Sequence, residues 1–321
     1  MDHAESKTAR GWTLRNGHGD GAIVLPKPKI AKKTSAAAVL HQIIGALLGH
    51  LRDNIAPTLS GEPEALRQMR GTLRQLRAVF RLFAPLLNPD EIARFTASLR
   101  QFAQTFGMAR DWDVFCGQSL PAVITGLPEH AWTDLSAFAE AERAAAHAAV
   151  HDAICGRNFT HLALDLALWS ETCAATPPDG GTKQLTQHLA KITPALLDTF
   201  AARARHAGRH PGRLSMNALH DFRKALDQLN AVVRFLGSPY PAHAVLAYRK
   251  RSDAVRDIIG ATNDAEVTKA LAVDLAADGS PAVSACAAAL ARWAERRQAD
   301  ELTGLKRAAR KFRTEPAFWR N

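Results

Sequence analysis

Two stretches of this chain repeat each other at a constant offset of 153 residues. Residues 64–83, EALRQMRGTLRQLRAVFRLF, align without a gap over residues 217–236, NALHDFRKALDQLNAVVRFL, with nine identities in twenty positions. The same offset aligns GMARDWDV at 107–114 with GATNDAEV at 260–267. Self-similarity of this kind indicates a duplicated structural unit. The sequence therefore predicts two similar bundles related by a pseudo-twofold axis.

The units are predicted to be helical, because the chain has no sustained apolar/polar alternation that would indicate strands. Alanine, leucine, glutamine and arginine dominate, and Gly/Pro clusters punctuate the helix-forming runs. The expected fold class is all-α, built as two four-helix bundles. Helices are predicted near 36–55, 63–84, 90–107, 131–150, 158–174, 184–206, 216–236, 241–259, 264–277 and 282–313.

The boundary between the two units is predicted at the cluster from Pro177 to Gly181. A helical domain is expected over about 36–313, preceded by a basic tail or linker at 1–35 and followed by a short tail at 314–321. Its first half would cover about 36–155, a connector about 156–183, and the second half about 184–313.

Charge and cysteine usage restrict the partners and the compartment. With 41 Lys/Arg against 31 Asp/Glu, the formal net charge is +10, which favours a polyanionic partner. The four cysteines include no C-x-x-C pair, as expected in a reducing cytoplasm. The most apolar stretch, 35–51, contains His41, Gln42 and His50 and is shorter than a membrane span. The sequence therefore predicts a cytoplasmic protein without membrane insertion.

The repeated helix carries one apolar and one cationic face. At 100° per residue, the arginines of its first copy share one sector, opposite a sector of leucine, methionine and phenylalanine. Their members are Arg67, Arg70, Arg74, Arg77 and Arg81. The corresponding sector of the second copy holds His220, Arg223, Lys224 and Arg234. A solvated basic face would explain either helix alone, but two such faces across a pseudo-twofold axis predict an anion between them, for which a phosphate chain is suited.

These motifs resemble the CHAD domain, the conserved histidine α-helical domain. The resemblance rests on RQMRGTLRQLRAVFRLF, GMARDWDVF and their counterparts in the second half, and it covers about residues 36–313. It implies a compact pair of four-helix bundles that binds inorganic polyphosphate in a basic central groove, often at polyphosphate granules. The family's first histidine position is Arg67 here, and its second is His220. Arg70, Arg74, Arg77 and Arg223 match its basic positions.

The second copy departs from that pattern. Asp227, Gln228 and Asn230 stand where the family usually has basic residues, and Gln75 replaces a usual arginine in the first copy. We therefore expect the first helix to dominate binding. Asp227 occupies the position equivalent to Arg74, where a carboxylate would repel phosphate.

A catalytic role has no visible residues. The segment from Glu5 to Leu14 resembles the end of a CYTH triphosphatase domain, but no E-x-E-x-K triplet is present to hold a metal. The chain is therefore predicted to be a binding protein, with no cofactor and no metal. Two alternatives remain: an accessory module of a phosphohydrolase, and a protein that binds nucleic acid nonspecifically. The second is suggested by residues 290–321, which carry nine Lys/Arg against four Asp/Glu.

Two further groups are interpreted as structural. His147 and His151 lie four residues apart on one helix face, but no H-E-x-x-H motif or third ligand accompanies them, which favours a solvated helix over a metal site. Asp111, Asp113, Asp264 and Glu266 follow glycine-containing segments and are expected to be helix N-caps or partners of arginines.

Overall fold

A computed structural model of the chain describes residues 22–23, 30–31, 34–123, 129–175, 189–278 and 281–320. The segment from Glu5 to Leu14 that resembles a CYTH domain, most of the tail at 1–35, and the cluster from Pro177 to Gly181 lie outside the described residues.

The described residues form α-helices with short 3-10 and π-helical turns, and no β-strand is present among them. The all-α fold class is therefore confirmed. The α-helices are α1 (Ala36–Asp53), α2 (Ile55–Leu59), α3 (Pro63–Phe83), α4 (Pro89–Val114), α5 (Glu129–Cys155), α6 (Arg157–Ala175), α7 (Leu189–Ala207), α8 (Met216–Leu236), α9 (Ala242–Asp278) and α10 (Pro281–Thr314). Short 3-10 turns cover Ala84–Leu86 and Pro211–Arg213.

Local capping chemistry sets several helix starts. The side chains of Ser35, Glu62, Asn88 and Ser215 each accept a hydrogen bond from a backbone N–H of the first turn. These bonds satisfy donors that have no partner within the helix. Pro63 and Pro89 stand at the first helical position, where a missing N–H costs nothing.

Two predicted helix ends are wrong. The structure continues α4 through Gly107 to Val114 and then into a π-helical turn, Phe115–Ser119. It also joins the predicted helices 241–259 and 264–277 into the single helix α9, which passes through Gly260. A glycine inside a helix costs about 1 kcal/mol relative to alanine, and packing of the long helices outweighs that cost.

The two repeated helices, α3 and α8, are in contact with each other. Helix α3 packs on α4 and α1, α1 packs on α6, and in the second half α7, α8, α9 and α10 pack in succession. The predicted apolar face of α3 is buried, with Leu66, Met69, Leu73, Leu76 and Phe80 fully inaccessible. Each such side chain contributes about 1.5–3 kcal/mol on burial, which fixes the opposite, arginine-bearing face toward solvent and α8.

A separate apolar cluster joins the far ends of the two halves. It contains Trp112 and Phe115 at the end of α4, Leu135 of α5, Leu275 of α9 and Leu290 of α10. The relation of the halves by internal duplication stays a prediction. None of the helices in the described ranges is long and apolar enough to cross a membrane.

Candidate functional site

The cationic face of α3 forms the core of the candidate site. Arg67 and Arg81 stand 14 residues apart, which corresponds to about 21 Å of helix axis. The side chains of Arg67, Arg70 and Arg74 are 52%, 40% and 51% exposed. The predicted face therefore forms a continuous strip of accessible guanidinium groups over an apolar base.

The first three arginines of this strip are paired with carboxylates. Arg67 Nη2 lies 2.5 Å from Glu64 Oε1 within α3. Arg70 Nη1 lies 3.8 Å from Asp111 Oδ1 of α4. Arg74 Nη1 lies 3.4 Å from Asp227 Oδ2 of α8, which joins the two repeated helices directly. These arginines and two neighbours from α8 and α9 form the inner arginine cluster: Arg67, Arg70, Arg74, Arg223 and Arg256.

Arg74 lies at the crowded centre of the inner cluster. Desolvation lowers the pKa of its guanidinium, the Asp227 carboxylate raises it, and the charges of Arg223, Arg256 and Arg67 lower it again. The pKa of Arg74 is lowered overall, although half of the Arg74 side chain is accessible to solvent. Protein atoms therefore surround much of the Arg74 side chain while part of its surface stays open to solvent. The Asp227 side chain beneath it is only 15% exposed.

Asp111 adds a second carboxylate at the inner end. Its pKa is raised, first by desolvation and also by the charge of Asp264, which together outweigh the attraction of Arg70, Arg223 and Arg110. Helices α3, α4, α8 and α9 therefore all contribute charged groups at this point. Arg256 is held by Asp253 and Asp257, with N–O distances of 3.2 Å to each.

At the other end of the strip, in contrast to the paired arginines of the inner cluster, the arginines make no ion pair with the described residues. The outer arginine cluster consists of Arg77 and Arg81 of α3, Arg100 of α4 and Arg203 of α7. Desolvation lowers the pKa of Arg81, and the charges of Arg77, Arg203 and Arg100 lower it further, against a smaller opposing contribution from Asp227. Desolvation and the charge of Arg100 likewise lower the pKa of Arg77.

Side-chain contacts hold parts of this outer cluster in place. Arg203 Nη1 donates to Gln228 Oε1 at 3.2 Å, and its guanidinium stacks 5.7 Å from the Phe200 ring centroid. The Nε atom of Arg77 is buried and has no hydrogen-bond acceptor in the described part of the chain. Guanidinium groups remain charged in proteins, so their mutual repulsion is a cost that a bound anion would remove.

Three of the predicted site residues belong to neither cluster. Lys224 is exposed and pairs with Asp221 at 3.3 Å on the surface of α8. His220 is exposed, and within the described ranges it makes no hydrogen bond or ion pair. Burial and the charge of Arg249 lower the pKa of Arg234. The pKa of His50 of α1 is lowered by burial and also by the charge of Arg234. Six of the nine predicted residues are therefore brought together by the structure: Arg67, Arg70, Arg74, Arg77, Arg81 and Arg223.

Sequence reasoning missed Arg100, Arg203 and Arg256. Each lies outside the repeated segments and enters the site only through packing of α4, α7 and α9 with α3 and α8. No motif distinguishes these arginines from others in the chain, so only the tertiary arrangement identifies them.

The acidic residues near Gly107 lie inside α4, so they are not N-caps and take the other expected role. They do partner arginines: Asp111 meets Arg70, and Asp113 accepts from Arg143 Nε at 2.9 Å. Asp113 also lies 2.9 Å from His147 Nε2, so His147 is an internal partner and not a solvated residue, whereas His151 is exposed. No group of His, Cys, Asp or Glu suited to a metal ion occurs in the described residues.

Comparisons with known proteins agree with this architecture. The crystal structure of the CHAD domain from the plant Ricinus communis superimposes with a TM-score of 0.79 at 20% identity, covering 91% of this chain and 97% of that one. PptA from Streptomyces chartreusis superimposes with a TM-score of 0.63 at 17% identity, covering 86% of this chain and all of that one. No curated protein matches the chain. The family model of the CHAD domain matches residues 42–273, so the chain belongs to the CHAD domain family.

Proposed function

We propose that this protein binds inorganic polyphosphate along the arginine strip of α3, in a groove between α3 and α8. The observation that carries the proposal is the outer arginine cluster, in which four guanidinium groups from three helices converge without an ion pair in the described residues. Such an arrangement is costly unless an anion with several negative charges is present. The role is one of binding, and association with polyphosphate granules would follow from it.

Guanidinium chemistry suits a phosphate chain. A guanidinium pairs with phosphate oxygens through two parallel N–H donors, and it stays charged at all physiological pH values. The strip offers such groups over about 21 Å. Successive phosphates of one linear polymer would therefore meet successive arginines, which a single small anion could not do.

The ion pair between Arg74 and Asp227 favours a thin polymer over duplex nucleic acid. It joins α3 and α8 at 3.4 Å, so the two helices leave no opening there as wide as a double helix. A single file of phosphates needs no such width and would lie above the ion pair.

The experiment that tests the proposal is a titration with long-chain polyphosphate at several salt concentrations. We expect the affinity to fall steeply as salt rises, because each phosphate neutralised by Arg or Lys releases a condensed counterion. Duplex DNA at equal phosphate concentration should bind far more weakly. An affinity for polyphosphate that stays constant from low to physiological salt would contradict the proposed electrostatic groove.

Binding is also expected to strengthen as the pH falls through the carboxyl range. The pKa of Asp111 is already raised by desolvation and by Asp264, and a bound phosphate chain would raise it further. The complex therefore takes up a proton that the free protein does not hold, so lower pH favours the complex. The measurement is the dissociation constant for polyphosphate from neutral pH down into the acidic range in which carboxyl groups titrate.

Asp111→Asn isolates the contribution of this carboxyl. The variant should bind more tightly than the wild type at neutral pH, and its affinity should change less with pH. Asp165→Asn is the matched control, because Asp165 pairs with Arg94 away from the strip. A pH profile that is the same for wild type and Asp111→Asn would show that Asp111 does not titrate with binding.

A further inference from the structure

A second basic surface continues from the outer arginine cluster along the end of α7 and onto α10. Arg203 belongs to the outer cluster, and His206 lies one turn further along α7 and is exposed. Beyond the end of α7, the backbone oxygen of Arg209 accepts a hydrogen bond from Arg313 Nη1 at 2.7 Å, and the 3-10 turn that follows packs against α10. The two elements thus form one continuous surface next to the groove.

The last turns of α10 present their charges outward. Leu305, Ala309 and Phe312 are buried in the core, whereas Lys306, Arg307, Arg310 and Lys311 are exposed. The segment from residue 306 to residue 313 spans about 10 Å of helix axis. We call the exit surface the set made of His206, Arg209, His210, Arg213, Lys306, Arg307, Arg310, Lys311 and Arg313.

This surface is almost free of compensating charge. Residues 199–215 contain no Asp or Glu, and residues 302–315 contain only Glu315. Glu315 is already engaged, because its Oε2 accepts from Arg251 Nε at 3.1 Å. Cations three and four residues apart on a helix repel each other, and a face that serves only solubility would ordinarily interleave acidic residues. The uncompensated charge therefore indicates a polyanionic ligand.

We propose that a long polyphosphate chain leaves the groove at Arg203 and continues over the exit surface, so that this protein retains long chains in preference to short ones. The inference rests on the proposed function, because the ligand is the same polymer. The occupant follows from continuity: a chain held by Arg81 and Arg203 meets its next basic side chains at His206, Arg209 and α10. A short chain ends within the groove and gains nothing from these residues.

The test compares tripolyphosphate, long-chain polyphosphate and duplex DNA on the full chain. The variant Lys306→Glu with Arg310→Glu reverses two exposed charges of the exit surface. We expect its dissociation constant for long chains to rise roughly fivefold to tenfold, because two phosphate contacts are replaced by repulsion. The negative slope of log affinity against log salt should become shallower by about 2. Affinity for tripolyphosphate should stay close to the wild-type value.

Arg292→Glu with Arg296→Glu is the matched control. Both arginines are exposed on the same helix, and their reversal changes the net charge by the same amount at a distance from the exit surface. The control should bind long chains as the wild type does. Equal losses in both variants, wild-type binding of long chains by the exit-surface variant, or a loss confined to duplex DNA would each overturn the inference while leaving the groove intact. Failure of the wild type to bind either polyphosphate would instead overturn the proposed function.

Discussion

Replacing Arg81 and Arg100 together with alanine will weaken binding of long-chain polyphosphate about tenfold or more. Charge-assisted hydrogen bonds contribute about 1.5–3 kcal/mol each, less where they are exposed, and 1.4 kcal/mol corresponds to a factor of ten. Both side chains are exposed, and neither makes a hydrogen bond or ion pair in the described ranges. No ion pair in the described residues therefore competes with a ligand for these two guanidinium groups. Isothermal titration measures the loss directly.

We expect a smaller loss of polyphosphate affinity from Arg70→Ala with Arg74→Ala. Those arginines are already engaged by Asp111 and Asp227, and their removal leaves two carboxylates behind in the groove. We expect that variant to lose affinity and also thermal stability, whereas the variant at Arg81 and Arg100 keeps the wild-type melting temperature. Arg292→Ala with Arg296→Ala is the surface control. Unchanged affinity after loss of Arg81 and Arg100 would show that the outer cluster does not contact the polymer.

The helices that local chemistry specifies were predictable from sequence. The prediction of 216–236 coincides with α8, and that of 63–84 is within one residue of α3, because capping residues and proline define their starts. The ends at Gly107 and Gly260 were not predictable in this way. There the helix continues because neighbouring helices bury it, and the local preference of glycine is outweighed by tertiary packing.

The site was predictable only as far as one helix reaches. Periodicity placed Arg67, Arg70, Arg74, Arg77 and Arg81 on one face of α3, and all five lie there. It could not separate the paired inner arginines from the outer ones, since that depends on where α4 and α8 place Asp111 and Asp227. Nor could it find Arg100 or Arg203, which reach the site from outside the repeated segments.

Asp227 is where the sequence and the structure together give the sharpest expectation. At the position equivalent to Arg74 it was expected to repel phosphate. The structure pairs Asp227 with Arg74 and places it near Arg81. Its negative charge therefore partly neutralises the positive charge of both arginine clusters. Asp227→Asn removes that negative charge while keeping the side-chain shape. A unit charge at about 4 Å contributes about 1 kcal/mol in water and more in a desolvated cleft, so affinity for polyphosphate should rise about fivefold or more.

Asp227→Lys should behave differently, because a lysine there would stand among Arg74, Arg81 and Arg223 on a side chain that is only 15% exposed. We expect it to lower the stability of the free protein by about 1–3 kcal/mol and to regain the loss when polyphosphate is added, since ligand binding stabilises the folded state by mass action. Asp221→Asn is the matched control, because Asp221 lies on the same helix, pairs with Lys224 and is 71% exposed. This substitution should change neither the stability of the free protein nor its affinity for polyphosphate. Titration and thermal melts of all three variants, with and without polymer, test the assignment. If Asp227→Asn and Asp221→Asn bind polyphosphate equally well, Asp227 does not line the groove.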